Sequence, residues 1–274
     1  MKRIYLITFL ALFSLLVFGQ KSNTYYKTEQ KMETTKKMQV EVWSDIMCPF
    51  CYIGKRHYEK ALEQFANKND VEIVWKSFQL DPNIPTHFEK KVNVYEYLAE
   101  RKGISREQSE QMHNNVVQMA KNAGLDYDFD KVIIANSFNV HRLIQFAKTK
   151  GLGDEAEERL FLAYFTQGKD LSNTSILMEL GKEIGLTEGE VNEALTNDDY
   201  AYKVKQDIQE AESVGVRGVP FFVFNRRYAV SGAQPAEAFL ETLEKSFSEW
   251  RKANPEIKLQ VSEGAACTPQ GDCK

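Results

Sequence analysis

Four cysteines in two close pairs, Cys48 with Cys51 and Cys267 with Cys273, are the residues best able to do chemistry in this 274-residue sequence. Paired spacing with no odd thiol left over points to thiol–disulfide exchange. Cys48-Pro49-Phe50-Cys51 follows the alternating run Val40-Glu41-Val42-Trp43 and precedes Ile53, Tyr58, Ala61, Leu62 and Phe65, which recur at helical spacing. The first pair therefore straddles the expected start of a helix, where unpaired backbone N–H groups and the positive end of the helix dipole favour a thiolate over a thiol. Cys48, at the helix start, is expected to be the exposed nucleophile, and Cys51, one turn in, the shielded resolving cysteine. Pro49 suits the first helical turn, where its missing N–H costs little. A purely structural Cys48–Cys51 bridge is the duller alternative, and it is disfavoured because so tight a loop is a poor staple.

Other polar residues near the pair read less sharply. Asp45 could shift its titration or relay protons, but reads first as a turn or cap residue. His57, His87, His113 and His141 show no ligand spacing with one another or with the cysteines, so no metal site and no cofactor is expected. Phe50, Tyr52, Phe221 and Phe222 read as core or rim aromatics, with a secondary role in holding an apolar substrate segment near Cys48. Cys267 and Cys273 enclose Thr-Pro-Gln-Gly-Asp, turn residues that let the pair close a small loop. That pair either ties the tail locally or exchanges with Cys48 and Cys51.

The elements that must position these residues follow in a clear order. Val71 to Phe78 forms a second β-like run after the polar turn Asn67 to Asp70, giving a strand, helix, strand unit. Asp81-Pro82 and Ile84-Pro85 break regular structure, and from about Val94 to Ser213 one helical segment succeeds another with no convincing strand. Within this block the spacing predicts helices over Val132 to Lys150, Ala156 to Gln167, Ser175 to Ile184 and Asp198 to Ser213. Thr187-Glu188-Gly189-Glu190 resembles a capping box before Val191 and Leu195. Strand character returns at Pro220 to Phe224, turns at Asn225-Arg226-Arg227 and returns over Tyr228 to Ser231, as in an antiparallel hairpin. A last helix is predicted from Ala236 to Lys252, and no internal repeat is present.

Charge and the N-terminus bound the partners and the compartment. With 35 basic against 39 acidic residues the formal net charge is -4, so there is no electrostatic case for nucleic acid or an anionic membrane surface. Lys2-Arg3, the apolar run Ile4 to Phe18 and the small residue of Gly19-Gln20 read as a cleavable export leader over 1–19. The run is shorter than the roughly 20 apolar residues of a spanning helix, so no stable membrane anchor is expected. Residues 20–37 are polar and aperiodic, as in a tether. The expected location is periplasmic or otherwise exported, an oxidising compartment; Met38 as an alternative start would give a cytoplasmic product.

On these residues the sequence resembles the DsbA family of thiol–disulfide oxidoreductases. Three features carry the resemblance: Cys48-Pro49-Phe50-Cys51 after a strand, the intervening helical block, and Gly215-Val216-Arg217-Gly218-Val219-Pro220-Phe221-Phe222-Val223 leading into the hairpin. The stretch from Ser44-Asp45 through Cys51, with Val230-Ser231-Gly232-Ala233-Gln234, looks most like the FrnE-like subgroup. The resemblance implies an α/β fold, thioredoxin-like, with a large α-helical domain inserted between its two halves. It divides the chain into first half 38–84, helical insertion 85–213, second half 214–252 and tail 253–274. It further implies a cis peptide bond before Pro220 beside the active pair, exposing the Val219 backbone as an edge for an extended substrate segment. Cys48, Cys51 and Pro220 are then the expected catalytic set, Val219, Pro49 and Phe50 the substrate-contacting set, and Cys267 with Cys273 an accessory redox pair. Protein thiols and disulfides are the expected partners, together with a redox partner that the sequence leaves unidentified, as it does the oligomeric state.

Two other function classes share parts of this pattern. Kappa-type glutathione transferases and hydroxychromene-carboxylate isomerases have the same architecture but generally place serine at the first catalytic position, where this chain has Cys48. A third class is a binding module, with the cysteine pairs chelating metal or the protein acting as a holdase; stoichiometric metal in the freshly purified reduced protein would favour it, and thiol exchange that vanishes on Cys48→Ser would exclude it as the main activity.

Overall fold

Residues 36–256 are described by the computed structural model of the chain. Strand β1 (Met38–Ser44) leads through a tight turn into helix α1 (Pro49–Gln64), and a single 3-10 turn at Lys68–Asp70 returns the chain to β2 (Val71–Ser77). Seven helices then follow: α2 (Val94–Lys102), α3 (Arg106–Asn122), α4 (Phe138–Thr149), α5 (Gly153–Phe165), α6 (Thr174–Glu183), α7 (Glu188–Thr196) and α8 (Asp198–Val214). The described residues close with β3 (Phe221–Phe224), β4 (Tyr228–Ser231) and α9 (Ala236–Ala253).

The four strands form one sheet in the order β2-β1-β3-β4. β1 runs parallel to β2, with Met38 opposite Val71 and Ser44 opposite Ser77, and antiparallel to β3, with Val40 opposite Phe224. Asn225 and Arg226 take left-handed backbone (φ 48 and 54) at the β3–β4 turn, a hand that matches the twist of a hairpin. Alternation along β1 sends Val40 and Val42 to one face, where they meet Tyr58 and Ala61 of α1 and Phe239, Leu243 and Phe247 of α9. Trp43 points to the other face, against Ala211, Val216 and Val223, and its indole N–H donates to the Asp207 carbonyl at 2.9 Å. A second core fills the helical block and reaches Cys48, Cys51, Tyr52 and Ile53 of the β1–α1 region.

The helical block also satisfies backbone groups of the edge strand β2. Asp207 of α8 accepts from the Ser77 N–H at 3.0 Å, and Lys148 of α4 donates to the Trp75 carbonyl at 2.6 Å. These contacts blunt an edge that would otherwise offer itself to another chain.

Most helices lie within a few residues of their expected places, and the Thr187–Glu190 capping box is present with both of its hydrogen bonds. The exception is the segment before α4. Helix is expected from Val132, yet regular helix begins only at Phe138. Ile133 instead forms a β-bridge with Asn93, the Ile134 N–H bonds to the Val92 carbonyl, and Asn136 Oδ1 accepts from the Phe138 N–H at 2.9 Å. Val132, Ile134 and Ala135 are all buried, and a short buried segment shows apolar residues at every position whether extended or helical.

Candidate active site

The turn between β1 and α1 sets the first cysteine. The Cys48 N–H donates to the Asp45 carbonyl at 2.9 Å, Cys48 is the N-cap of α1, and Pro49 occupies the first turn. Asp45 is buried and fully used: Oδ1 accepts from the Met47 N–H at 3.2 Å and Oδ2 from the Leu80 N–H at 2.7 Å. Its side chain thus shapes the turn, as expected, and also ties it to the segment leaving β2.

Opposite the cysteine lies the loop before β3. The Val219–Pro220 peptide bond is cis, and the Cys48 thiol donates to the Val219 carbonyl at 3.4 Å. Gly54 of α1 allows this approach, since a Cβ there would sit 2.9 Å from Pro220 Cγ and 3.5 Å from Phe222 Cε2. A prolyl ring has no flexible end to swing away. Gly54→Ala is therefore expected to push α1 and β3 apart, costing about 1–3 kcal/mol in a denaturant titration. The same shift should slow thiol exchange by moving Val219 off Cys48. Unchanged stability and exchange would contradict this packing.

Cys48 is not exposed to bulk solvent, contrary to the expectation from its place at a helix start; it is 3% exposed. The helical block packs over the N-terminus of α1, and Val219 covers the other side. Instead, Cys48 opens onto a cavity of about 400 Å³ lined by Pro49, Phe50 and Val219 on one side and mainly apolar side chains, among them Leu80, Ile84, Met112 and Phe129, on the other. Cys51 does not line it. Phe50, at 37% exposure, stands at the mouth. Tyr52 and Phe222 are core residues and Phe221 is half-buried.

Cys48 and Cys51 are held as free thiols. Burial pushes the Cys51 thiol well up from its ordinary range, and the adjacent Cys48 sulfur adds to the effect by accepting its proton in a hydrogen bond and by its charge. The Asp45 backbone N–H and the Ser44 hydroxyl face the Cys51 sulfur and act in the opposite sense, favouring its thiolate.

The helical block grips the helix carrying the cysteines through Tyr52, read from the sequence as a core or rim aromatic, and through Tyr127 and Lys55, which sequence reasoning passed over. The Tyr127 hydroxyl donates to the Pro49 carbonyl at 2.8 Å, directly behind the pair. Tyr52 stacks on Phe161 of α5 with ring centroids 4.9 Å apart, and its hydroxyl donates to Glu158 at 2.6 Å. Lys55, 2% exposed, is ringed by Glu59, Asp154 and Glu158. A lysine at the position after Gly54 gives no sign of burial in sequence, because its carboxylate partners on α5 are about a hundred residues away.

The histidines are dispersed. His57 Nδ1 lies 2.8 Å from the Gln234 carbonyl, and His113 Nδ1 lies 2.8 Å from the Ser109 carbonyl between the rings of Tyr95 and Phe129. Burial holds His113 below the usual imidazole range. His141 is buried with Nε2 3.6 Å from Asp45 Oδ1. Cys267 and Cys273 lie outside the described residues, as does the leader expected over 1–19.

Known proteins resemble this chain in sequence and fold. The family model for the DSBA-like thioredoxin domain matches residues 39–244. The crystal structure of a probable DsbA oxidoreductase from Streptomyces coelicolor is 35% identical, with a TM-score of 0.73, covering 86% of this chain and 98% of that one. YwbO, an uncharacterized protein of Bacillus subtilis (strain 168), is 26% identical over 216 residues, 78% of this chain and 97% of its own. The cytosolic disulfide reductase DsbM from Pseudomonas aeruginosa shares the fold at 16% identity and a TM-score of 0.54, covering 77% of this chain and 99% of that one.

Proposed function

The chain belongs to the family of DSBA-like thioredoxin domains, and from that premise we propose that it is a dithiol–disulfide oxidoreductase acting on protein thiols, with Cys48 as nucleophile, Cys51 as resolving cysteine and Pro220 as the wall beside them. The observation that carries the assignment is the geometry of access: Cys48 lines the cavity and meets the Val219 carbonyl, whereas Cys51 lies behind it, 1% exposed.

Starting from the disulfide, a substrate thiolate attacks the Cys48 sulfur, the Cys48–Cys51 bond breaks and its electron pair leaves on Cys51. A second substrate thiolate then attacks the substrate sulfur of the mixed disulfide, Cys48 departs as thiolate, and the enzyme holds the two electrons as a dithiol. An extended substrate backbone pairs beside Val219, and an apolar side chain flanking the substrate cysteine enters the cavity past Pro49 and Phe50. The direction favoured is oxidation or isomerisation, on the strength of the export-type leader over 1–19. Cys267 and Cys273 serve as an accessory pair in this reading, and the FrnE-like motifs around Asp45 and Gln234 support reading the chain as a member of that subgroup.

The test is equilibration of Cys48 and Cys51 with a glutathione redox buffer, with Cys267 and Cys273 replaced by serine. A single two-electron couple nearer the roughly −120 mV of strong oxidants is the expected result, and a value near the roughly −270 mV of thioredoxin would reverse the direction. Failure of the pair to equilibrate at all would sink the exchange reading.

A further inference from the structure

Two polar groups in the wall of the cavity beside Cys48 have no hydrogen-bond partner among the described residues. Tyr164, on α5, lines the cavity and is 2% exposed, yet its hydroxyl is bonded to none of them. Its neighbours in the wall are already committed. The Tyr97 hydroxyl donates to Asp81 at 2.6 Å, and Asp45 accepts from the Met47 and Leu80 N–H groups. His113, on α3, also lines the cavity and is 7% exposed. Its Nδ1 lies 2.8 Å from the Ser109 carbonyl, which can only accept, so Nδ1 carries the ring proton and Nε2 is left without a partner.

The protonation of both groups is set by their surroundings. Burial, with Asp45, Tyr97 and Asp170 adding to it, pushes the Tyr164 phenol well above its ordinary range, so it stays neutral and remains a donor. Burial keeps the His113 ring neutral as well, so its Nε2 presents a lone pair and is an acceptor. Most of the remaining lining is apolar, with Ile84, Leu98, Val116 and Ile134 among it. A donor and an acceptor in such a wall are costly to leave bare and selective when a ligand pairs them. The cavity, at about 400 Å³, also has the size of a site that encloses a whole side chain with room to spare.

We propose that this cavity selects a tyrosine flanking the substrate cysteine, with Tyr164 and His113 as the residues that read its hydroxyl. The selection rests on the Cys48–Cys51 exchange reading and names its substrate class: protein segments with a tyrosine next to the reacting cysteine. The tyrosine ring lies among the apolar side chains past Pro49 and Phe50. Its oxygen accepts from the Tyr164 O–H, and its own O–H donates to His113 Nε2, directly or through one bound water. Other side chains meet the same wall less well. Phenylalanine has the shape but leaves both polar groups bare, and tryptophan brings a donor for His113 and nothing for Tyr164. Lysine or arginine would bring a charge to a cavity whose carboxylates are already taken, Asp45 by two backbone N–H groups and Asp81 by Arg101 and Tyr97. Tyr164 and His113 touch the substrate side chain and not the reacting sulfurs, so they set preference and leave the exchange steps as written above.

The experiment compares reduced peptides identical but for tyrosine or phenylalanine beside their single cysteine, tested on each side of it. The second-order rate at which each reduces the Cys48–Cys51 disulfide is measured on the full-length chain with Cys267 and Cys273 replaced by serine. The tyrosine peptide is expected to react about tenfold faster than its phenylalanine twin, the worth of one neutral hydrogen bond at the upper end of its range. Tyr164→Phe removes only a hydroxyl without a partner, and His113→Phe keeps a ring between Tyr95 and Phe129. Each should bring the ratio of the two rates closer to one, and the double variant should bring it to one. Equal rates in the parent protein would overturn the proposal. A preference for tyrosine that survives in the variants would overturn it too, since the hydroxyl would then be read elsewhere. Should His113→Phe fail to fold, the ratio in Tyr164→Phe decides. No reaction with either peptide or with glutathione would overturn the exchange reading and the selection with it. Reaction with both peptides at one rate would overturn the selection alone.

Discussion

Cys48→Ser is expected to reduce thiol–disulfide exchange to the level of buffer thiols alone, while Cys51→Ser is expected to retain attack and accumulate a stable mixed disulfide at Cys48. The asymmetry follows from access. Cys48 meets the cavity, and Cys51 lies behind it with its thiol held up by burial, so an incoming sulfur can reach only the first. Serine at position 48 keeps the size and the hydrogen bond to the Val219 carbonyl but not the sulfur, so folding should survive while chemistry stops. With Cys51 gone, and Cys267 and Cys273 replaced by serine, the covalent intermediate has no internal thiolate to resolve it and waits for a second external thiol. Mass spectrometry of the intact protein after incubation with a cysteine-containing peptide distinguishes the cases. An adduct on Cys51 in the Cys48→Ser protein, equal in rate to that on Cys48 in the reciprocal variant, would reverse the assignment.

The largest expected effect on stability is from Phe161→Ala, about 3–5 kcal/mol. Phe161 is fully buried on α5, its ring stacked on Tyr52 of α1 at 10° and 4.9 Å, and Tyr52 is in turn stacked with Tyr127. Truncation therefore leaves a cavity inside the seam between the helical block and the helix that bears the cysteines. For a protein of this size the loss corresponds to a fall in Tm of roughly 10 °C, measurable by calorimetry. A fall of only a degree or two would mean that the seam closes over the missing ring.

Much of this architecture could be read from the sequence, for identifiable reasons. β1, α1 and β2 announce themselves because each is bounded by turns and mixes polar with apolar residues: Glu41 marks the alternation of Val40-Glu41-Val42 although it is buried and paired with Arg226 and Lys76, and Tyr58, Ala61 and Phe65 recur at helical spacing. The candidate nucleophile, Cys48, stood out because cysteine is rare and its spacing specific. What escaped depends on long-range juxtaposition. Glu157 sits in Glu155-Ala156-Glu157-Glu158-Arg159, where nothing separates it from its exposed neighbour Glu155; only the packing of α5 against Ser44 does. Lys55 was hidden in the same way. The burial of Cys48 could not be inferred from a helix start, because the cover comes from Leu80, Phe129 and Val219, each remote in sequence. The non-helical segment before α4 was missed because Val132, Ile133, Ile134 and Ala135 are apolar at every position.

The antiparallel pairing of β1 with β3 has a consequence for the birth of the molecule. β1, α1 and β2 are adjacent in sequence and can assemble early, but Val40 must wait for Phe224, with the whole helical block synthesised between them. Closing so long a loop is costly in entropy and slow, and a chain made from its N-terminus presents its early elements first. During that interval Cys48 lacks Val219 and the roof that later restricts approach to it. On the proposed exchange role, the newborn chain thus carries Cys48 and Cys51 before it has acquired any means of choosing among partners. Selectivity matures after reactivity, and the nascent protein is at that stage a client for thiol chemistry rather than an agent of it.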